Sequence, residues 1–181
     1  MILKGSYLVF SVLFLIYLLW PQPYDISQFK ALPNSVQSSL EGDTTQIANV
    51  KAYFSDNFRD FSINYYKNDF QDLFNLPFPA IRLNYPPEFA FTAIKDQTQS
   101  TYLEEFIYPL KGSLYVNGLE PLYEDGSPKF PGAIKFEVDD KVYFTKVTLR
   151  YYPSPIWVRV LVWAGINLSI LLMWRFIKKR A

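Results

Sequence analysis

The last hydrophobic run of the chain, from Pro155 to Trp174, constrains everything before it. A stretch of about 20 mostly apolar residues is long enough to cross a bilayer core as a helix. Arg175, Lys178, Lys179 and Arg180 come directly after it, and an excess of Lys and Arg marks the cytoplasmic flank of a span. The run predicts a C-terminal transmembrane helix over 155–176 and a basic cytoplasmic tail over 177–181. The chain before Pro155 is then expected on the other side of the membrane.

Trp157 and Trp174 fall near the two ends of the run, where indole rings favour the headgroup layer, and are expected to act as interfacial anchors. Arg159 lies one turn inside the outer boundary, and its long stem can carry the guanidinium back to the headgroups as a third anchor. The alternative for Arg159 is an acidic partner on another chain, because the N-terminal hydrophobic stretch has no Asp or Glu. Gly165 and Ser169 have the four-residue spacing that lets helix backbones approach closely. Asn167 sits near mid-span, where an amide requires a cross-helix hydrogen bond. Together Gly165, Asn167 and Ser169 predict helix packing, either onto the N-terminal helix or onto another subunit.

The first hydrophobic element runs from Met1 to Trp20 with Lys4 as its one charged side chain. Signal-peptide cleavage needs small residues after the apolar core, and Leu18-Leu19-Trp20-Pro21 supplies none. Residues 1–21 are therefore expected to form an uncleaved transmembrane signal anchor with a cytoplasmic amino terminus. The frame is anchor, extracytoplasmic domain over 22–154, anchor, with both termini cytoplasmic. Absence of Cys points to a plasma (inner) membrane of bacterial or archaeal type. Pro153-Ser154-Pro155 leads straight into the second span, a stiff junction expected to hold the domain near the bilayer.

Charge divides along the same lines. All 17 acidic residues lie between Tyr24 and Tyr152, with 12 basic residues among them, a net charge of −5 for the central region. An acidic domain argues against a nucleic-acid partner. The chain has no Cys and no His. That removes disulfides, thiol catalysis, thiolate metal sites, the commonest general base and the commonest transition-metal ligand. No phosphate loop, dinucleotide fingerprint or EF-hand loop is present, so no cofactor or metal is expected.

Within 22–154, residues 24–48 are polar and rich in turn formers and read as an extended segment draped over the domain. From Ile47 to Phe74, aromatic residues recur at spacings of three and four, which predicts an amphipathic helix broken once near Ser62-Ile63-Asn64. Ala80–Tyr85 alternates as a short strand. Pro86-Pro87-Glu88 opens what reads as a second helix, continuing to Tyr108. Leu114-Tyr115-Val116 reads as a strand ended by an Asn117-Gly118 turn. Residues 133–152 read as a β-hairpin turning at Asp139-Asp140. The fold class expected is α+β: an extracytoplasmic domain with amphipathic helices and a small antiparallel sheet, flanked by two transmembrane helices.

Function is less legible. Glu88, Asp96, Glu104 and Glu105 crowd one stretch and are the candidate polar functional surface. Without the usual catalytic residue types, the chain reads as a non-enzymatic accessory or structural subunit of a cell-envelope membrane complex. Its expected partners are the membrane lipid bilayer and a membrane protein or further copies of itself. One alternative is a membrane-anchored binding module for envelope glycan or peptide, using Tyr and Phe side chains from 53 to 66. Another is a carboxylate-dependent hydrolase, since paired carboxylates are what glycoside hydrolysis requires.

Overall fold

The fold is taken from a computed structural model that describes residues 2–40, 43, 48–89 and 100–180. The chain divides into two compact units. One comprises Met1–Gln22, Pro109–Lys111 and Ser154–Ala181; the other comprises Pro23–Tyr108 and Gly112–Pro153.

The second unit is built on a six-stranded sheet in which every neighbouring pair is antiparallel. In chain order its strands are β1 (Val36–Gln37), β2 (Val50–Ser55), β3 (Ile81–Tyr85), β4 (Tyr102–Tyr108), β5 (Gly112–Leu119) and β8 (Thr145–Pro153). Across the sheet the order is β1-β2-β8-β5-β4-β3. A separate two-stranded ribbon pairs β6 (Phe136–Val138) with β7 (Lys141–Tyr143). One helix, α2 (Arg59–Phe74), lies on the sheet. Ile63, Tyr66, Phe70 and Phe74 recur on it at helical spacing and are buried. They meet Tyr102, Phe106 and Tyr108 of β4, which share one face by strand alternation, together with Leu114, Val116, Val147, Leu149 and Tyr151. Phe70 is the hub, its ring stacked on Tyr108 at 5.4 Å and 4.6 Å from that of Phe74.

The N-terminal segment of this unit closes the core, as its draped reading implied. Ile26, Phe29 and Leu32 are buried in the cluster. Tyr65 donates to the Ala31 carbonyl at 2.9 Å, and Asp69 accepts the Lys30 backbone N–H at 3.0 Å.

Four elements depart from the sequence reading. The expected single helix over 47–74 is strand β2 followed by helix α2, with the break at Ser55–Phe58 and not at Ser62–Asn64. Val50, Tyr53 and Phe54 suit a strand, and pairing Val50–Ser55 with β8 satisfies the backbone while the aromatic spacing mimics a helix. The expected helix from Pro86 to Tyr108 is wrong at its C-terminal end: Tyr102–Tyr108 is β4. An interior strand is buried on both faces, so the period-two signal vanishes from its sequence. Pro87–Phe89 forms a short 3-10 turn, and residues 90–99 of that expected helix lie outside the described residues. Asn117-Gly118 is not a turn but part of β5, paired to β4 and β8. Finally, the expected hairpin over 133–152 divides. Its turn is at Asp139-Asp140, but the second arm leaves at Phe144 and β8 enters the large sheet.

Both turn aspartates have positive φ, 49° at Asp139 and 60° at Asp140. A two-residue hairpin turn needs this, and glycine meets it at lower cost. Asp140→Gly is expected to stabilise the ribbon by about 0.5–1 kcal/mol, by relieving left-handed strain and one of two like charges. Chemical denaturation of the full chain would check it, and an unchanged or lower midpoint would refute it.

The first unit contains α1 (Ile2–Leu19) and α3 (Ile156–Arg180). Ile156–Lys179 is long and apolar enough to cross a membrane by length and composition, and no other described helix is. The apolar part of α1, Gly5–Leu19, is shorter. The expectation of two membrane-crossing helices is thus met by composition and length for α3 alone.

Candidate functional site

The expected polar surface does not assemble as one patch. Glu88 is exposed on the 3-10 turn, and Asp96 lies outside the described residues. Glu104 and Glu105 are neighbours on β4, so their side chains point to opposite faces of the sheet.

Glu104 is fully buried. Its Oε1 accepts from Arg59 Nη2 at 2.8 Å and Nε at 3.2 Å, and from Arg82 Nη2 at 2.8 Å. Its Oε2 accepts from Arg82 Nε. Arg59 Nη2 also donates to Asn84 Oδ1 at 3.1 Å. One carboxylate thereby ties the start of α2, the edge strand β3 and the interior strand β4 together. The Glu104 hydrogen bond, and after it the Glu104 charge, outweigh desolvation and raise the Arg82 guanidinium above its ordinary value. On the other face, Glu105 accepts a hydrogen bond from the Tyr85 hydroxyl. Burial first, then that hydrogen bond, pushes Tyr85 up to about 12. Burial and the Glu105 charge likewise raise Tyr115. Glu104, with both oxygens engaged by guanidinium N–H groups, is a structural anion that holds these elements together.

Glu120 was not singled out by its sequence. It comes just after β5 and is buried; Oε1 accepts the Arg59 backbone N–H, and Oε2 accepts from Lys129 Nζ at 2.7 Å. It therefore caps the N-terminus of α2, whose cap residue Phe58 makes no side-chain cap bond. The uncapped Phe58 was the one available signal, and it could not say which carboxylate would come. Lys129 lies 5.3 Å from the Tyr123 ring centroid. An open cleft of about 700 Å³ lies here, lined by Phe58, Arg59, Asp60, Glu120, Tyr123 and Lys129 among others. Among the described residues, no group of three or more acidic side chains is placed to hold a metal ion.

In the first unit, the polar residues of α1 and α3 meet. Asn167 Oδ1 accepts from Tyr7 OH, and from Ser11 Oγ at 2.7 Å. Asn167 Nδ2 donates to the Trp163 carbonyl at 2.7 Å, and Trp163 Nε1 donates to the Ser11 carbonyl at 2.9 Å. Of the three expected packing residues, Asn167 is the one whose side chain bonds to α1. A Cβ on Gly165 would have nothing within 4 Å, and the exposed Ser169 donates back to the Gly165 carbonyl at 2.8 Å. Small-residue spacing cannot reveal which way a helix is turned.

Arg159 is 5% exposed, and its Nη1 donates to the Leu18 carbonyl in the last turn of α1. The C-terminal end of α1 presents the negative end of its dipole to this guanidinium. Trp157 and Trp174 are exposed near the two ends of α3. Lys111 joins Arg159 at the end of α1. Its Nζ donates to the Trp20 carbonyl at 2.6 Å and to that of Tyr17 at 3.3 Å, while Tyr17 OH donates to the Pro109 carbonyl at 2.7 Å. Burial, and secondarily the like charge of Arg159, lower the Lys111 ammonium to about 8. At neutral pH it remains charged on those carbonyls.

No family model matches the chain, and neither a curated protein nor a solved structure matches it.

Proposed function

We propose that this chain is a two-pass membrane protein whose central domain lies outside the cytoplasm, and that it serves as a non-enzymatic accessory or structural subunit of a cell-envelope membrane complex. The observation that carries the membrane half of this reading is the clasp between α1 and α3. Tyr7 and Ser11 hold Asn167, Trp163 holds Ser11, and Arg159 holds Leu18. A segment discarded as a signal peptide would leave Asn167 without these partners in the bilayer, and would take the Leu18 carbonyl away from Arg159. The clasp therefore favours retention of α1, although its apolar run is short. The non-enzymatic half is supported by the engagement of Glu104 and Glu120 in ion pairs.

The competing readings have less to stand on. Of the aromatic side chains considered as a ligand platform, Tyr53, Phe54 and Tyr66 are core residues. Phe61 and Tyr65 remain nearer the surface, stacked at 6.2 Å. Glu104 is taken up by Arg59 and Arg82, and Asp96, the carboxylate that a hydrolytic pair with Glu88 or with Glu104 would require, lies outside the described residues.

The test has two parts. A tag placed before Met1 should stay with the mature protein, and its loss would sink the two-pass reading. Purification of the full chain in mild detergent should then bring a partner in fixed stoichiometry, or a defined homo-oligomer; a clean monomer would refute the subunit reading. Asn167→Leu should weaken the α1–α3 pairing by about 1 kcal/mol, the scale of interhelical hydrogen bonds in membranes. Cysteines introduced at facing positions of the two helices, in a chain with none of its own, would report this as slower disulfide cross-linking.

A further inference from the structure

The unit made of Met1–Gln22, Pro109–Lys111 and Ser154–Ala181 holds seven Lys and Arg residues and no Asp or Glu. Two of these cations, Lys111 and Arg159, are spent on the carbonyls at the end of α1. Four of the others are gathered at the end of α3, which runs as a helix through Arg180, six residues past Trp174. From Ile156 to Trp174 the helix rises about 28 Å, close to the thickness of a hydrocarbon core. The helical residues beyond Trp174 therefore emerge at headgroup depth. Arg175, Lys178 and Lys179 stand three and four residues apart, on one side of this segment, and are exposed. Phe176 and Ile177, also exposed, occupy the other side. Lys178 Nζ lies 4.7 Å from the Trp174 ring centroid, so its ammonium shares the level of an indole that favours the headgroup layer.

A helix end of this kind, cationic on one side, apolar on the other and without an acid in its own unit, complements an anionic lipid surface. We infer that Arg175, Lys178 and Lys179 bind the phosphate groups of anionic phospholipids in the leaflet where α3 ends, an inference that rests on the membrane-spanning reading above. The cations then do more than orient the span: they select its lipid neighbours.

The full-length chain would be reconstituted in vesicles of equal phosphatidylcholine and phosphatidylglycerol, re-extracted in mild detergent, and its retained lipid quantified by mass spectrometry. One cation near an anionic surface is worth about a fivefold change in binding. Phosphatidylglycerol should therefore be enriched at least about fivefold at low salt, with the enrichment shrinking as salt is raised. The variant R175Q/K178Q/K179Q should retain the two lipids about equally. Equal retention by the native chain, or unchanged enrichment in the triple variant, overturns the inference. So does loss of enrichment on adding inorganic phosphate at constant ionic strength, which would mark a site for free phosphate.

Ala181→Cys, in the native and triple-variant backgrounds, supplies the sole thiol for labelling by an impermeant maleimide. Labelling only after permeabilisation keeps the spanning orientation, and the lipid ratio then decides the inference alone. Labelling of intact cells in the native background overturns the cytoplasmic orientation, and the lipid ratio still decides the inference for the leaflet where α3 ends.

Discussion

Gly118→Ala is expected to destabilise the sheet unit by about 3 kcal/mol, the upper end for overpacking a core. A Cβ built on Gly118 would lie 2.0 Å from Tyr102 Cζ, 2.1 Å from Cε1 and 2.5 Å from the hydroxyl. Tyr102 is the direct cross-strand partner of Gly118, and its ring covers the bare backbone there. The ring has little room to give way. It is buried, with the Arg59 guanidinium 5.4 Å from its centroid. On a unit of this size the loss should appear as a fall of roughly 10 °C in the melting midpoint. The double variant Gly118→Ala with Tyr102→Leu identifies the cause. If the clash is the cause, alanine added to the Tyr102→Leu background should cost less than about 1 kcal/mol, because coupled neighbours are not additive. Full additivity would show that the ring is not what Gly118 accommodates.

Glu104→Ala should cost a comparable amount, about 2–3 kcal/mol. Breaking a buried ion pair commonly costs about 3–5 kcal/mol, because the remaining charge is stranded. Here the remaining charges are less stranded: the side chains of Arg59 and Arg82 are 38% and 47% exposed and can turn to water. What stays uncompensated is the cavity under β4 and the lost tie between β3, β4 and α2. Glu104→Gln keeps the volume and removes the charge, and should cost about half as much. Native-state hydrogen exchange offers the sharper readout, since protection should fall first along Ile81–Tyr85 and the first turn of α2. If Glu104→Gln left stability untouched, Glu104 would not be the structural anion described, and the polar-surface reading would regain its interest.

The strand at 81–85 was legible because an edge strand keeps its alternation, whereas β4, buried on both sides, reads Tyr-Leu-Glu-Glu-Phe-Ile-Tyr and hides it. Strand β2 was concealed by aromatic spacings that continue into a true helix. Gly118 sits directly after Asn117, the commonest local signature of a tight turn, and nothing nearby in sequence announces the tyrosine sixteen residues earlier that needs it. Glu104 stands out in the sequence by its charge, but its two arginines come from positions 59 and 82, and only the fold brings them together. A mid-span Asn167 needs a partner across helices, but only the fold shows that it meets Tyr7 and Ser11, 160 and 156 residues away.

The amino-acid sequence by itself determined that residues 156–174 form a membrane-length apolar run trailed by cations, that the region before it is acidic and mixed α and β, and that these residues offer no histidine or cysteine chemistry. These are properties of composition and local periodicity, which need no knowledge of distant contacts. The tertiary structure alone decided which strands pair, which carboxylates are neutralised, and which polar groups in the apolar helices find each other. The physical reason is common to all three. A buried charge or amide is tolerated only where partners converge on it, and convergence belongs to chain topology rather than to any local pattern.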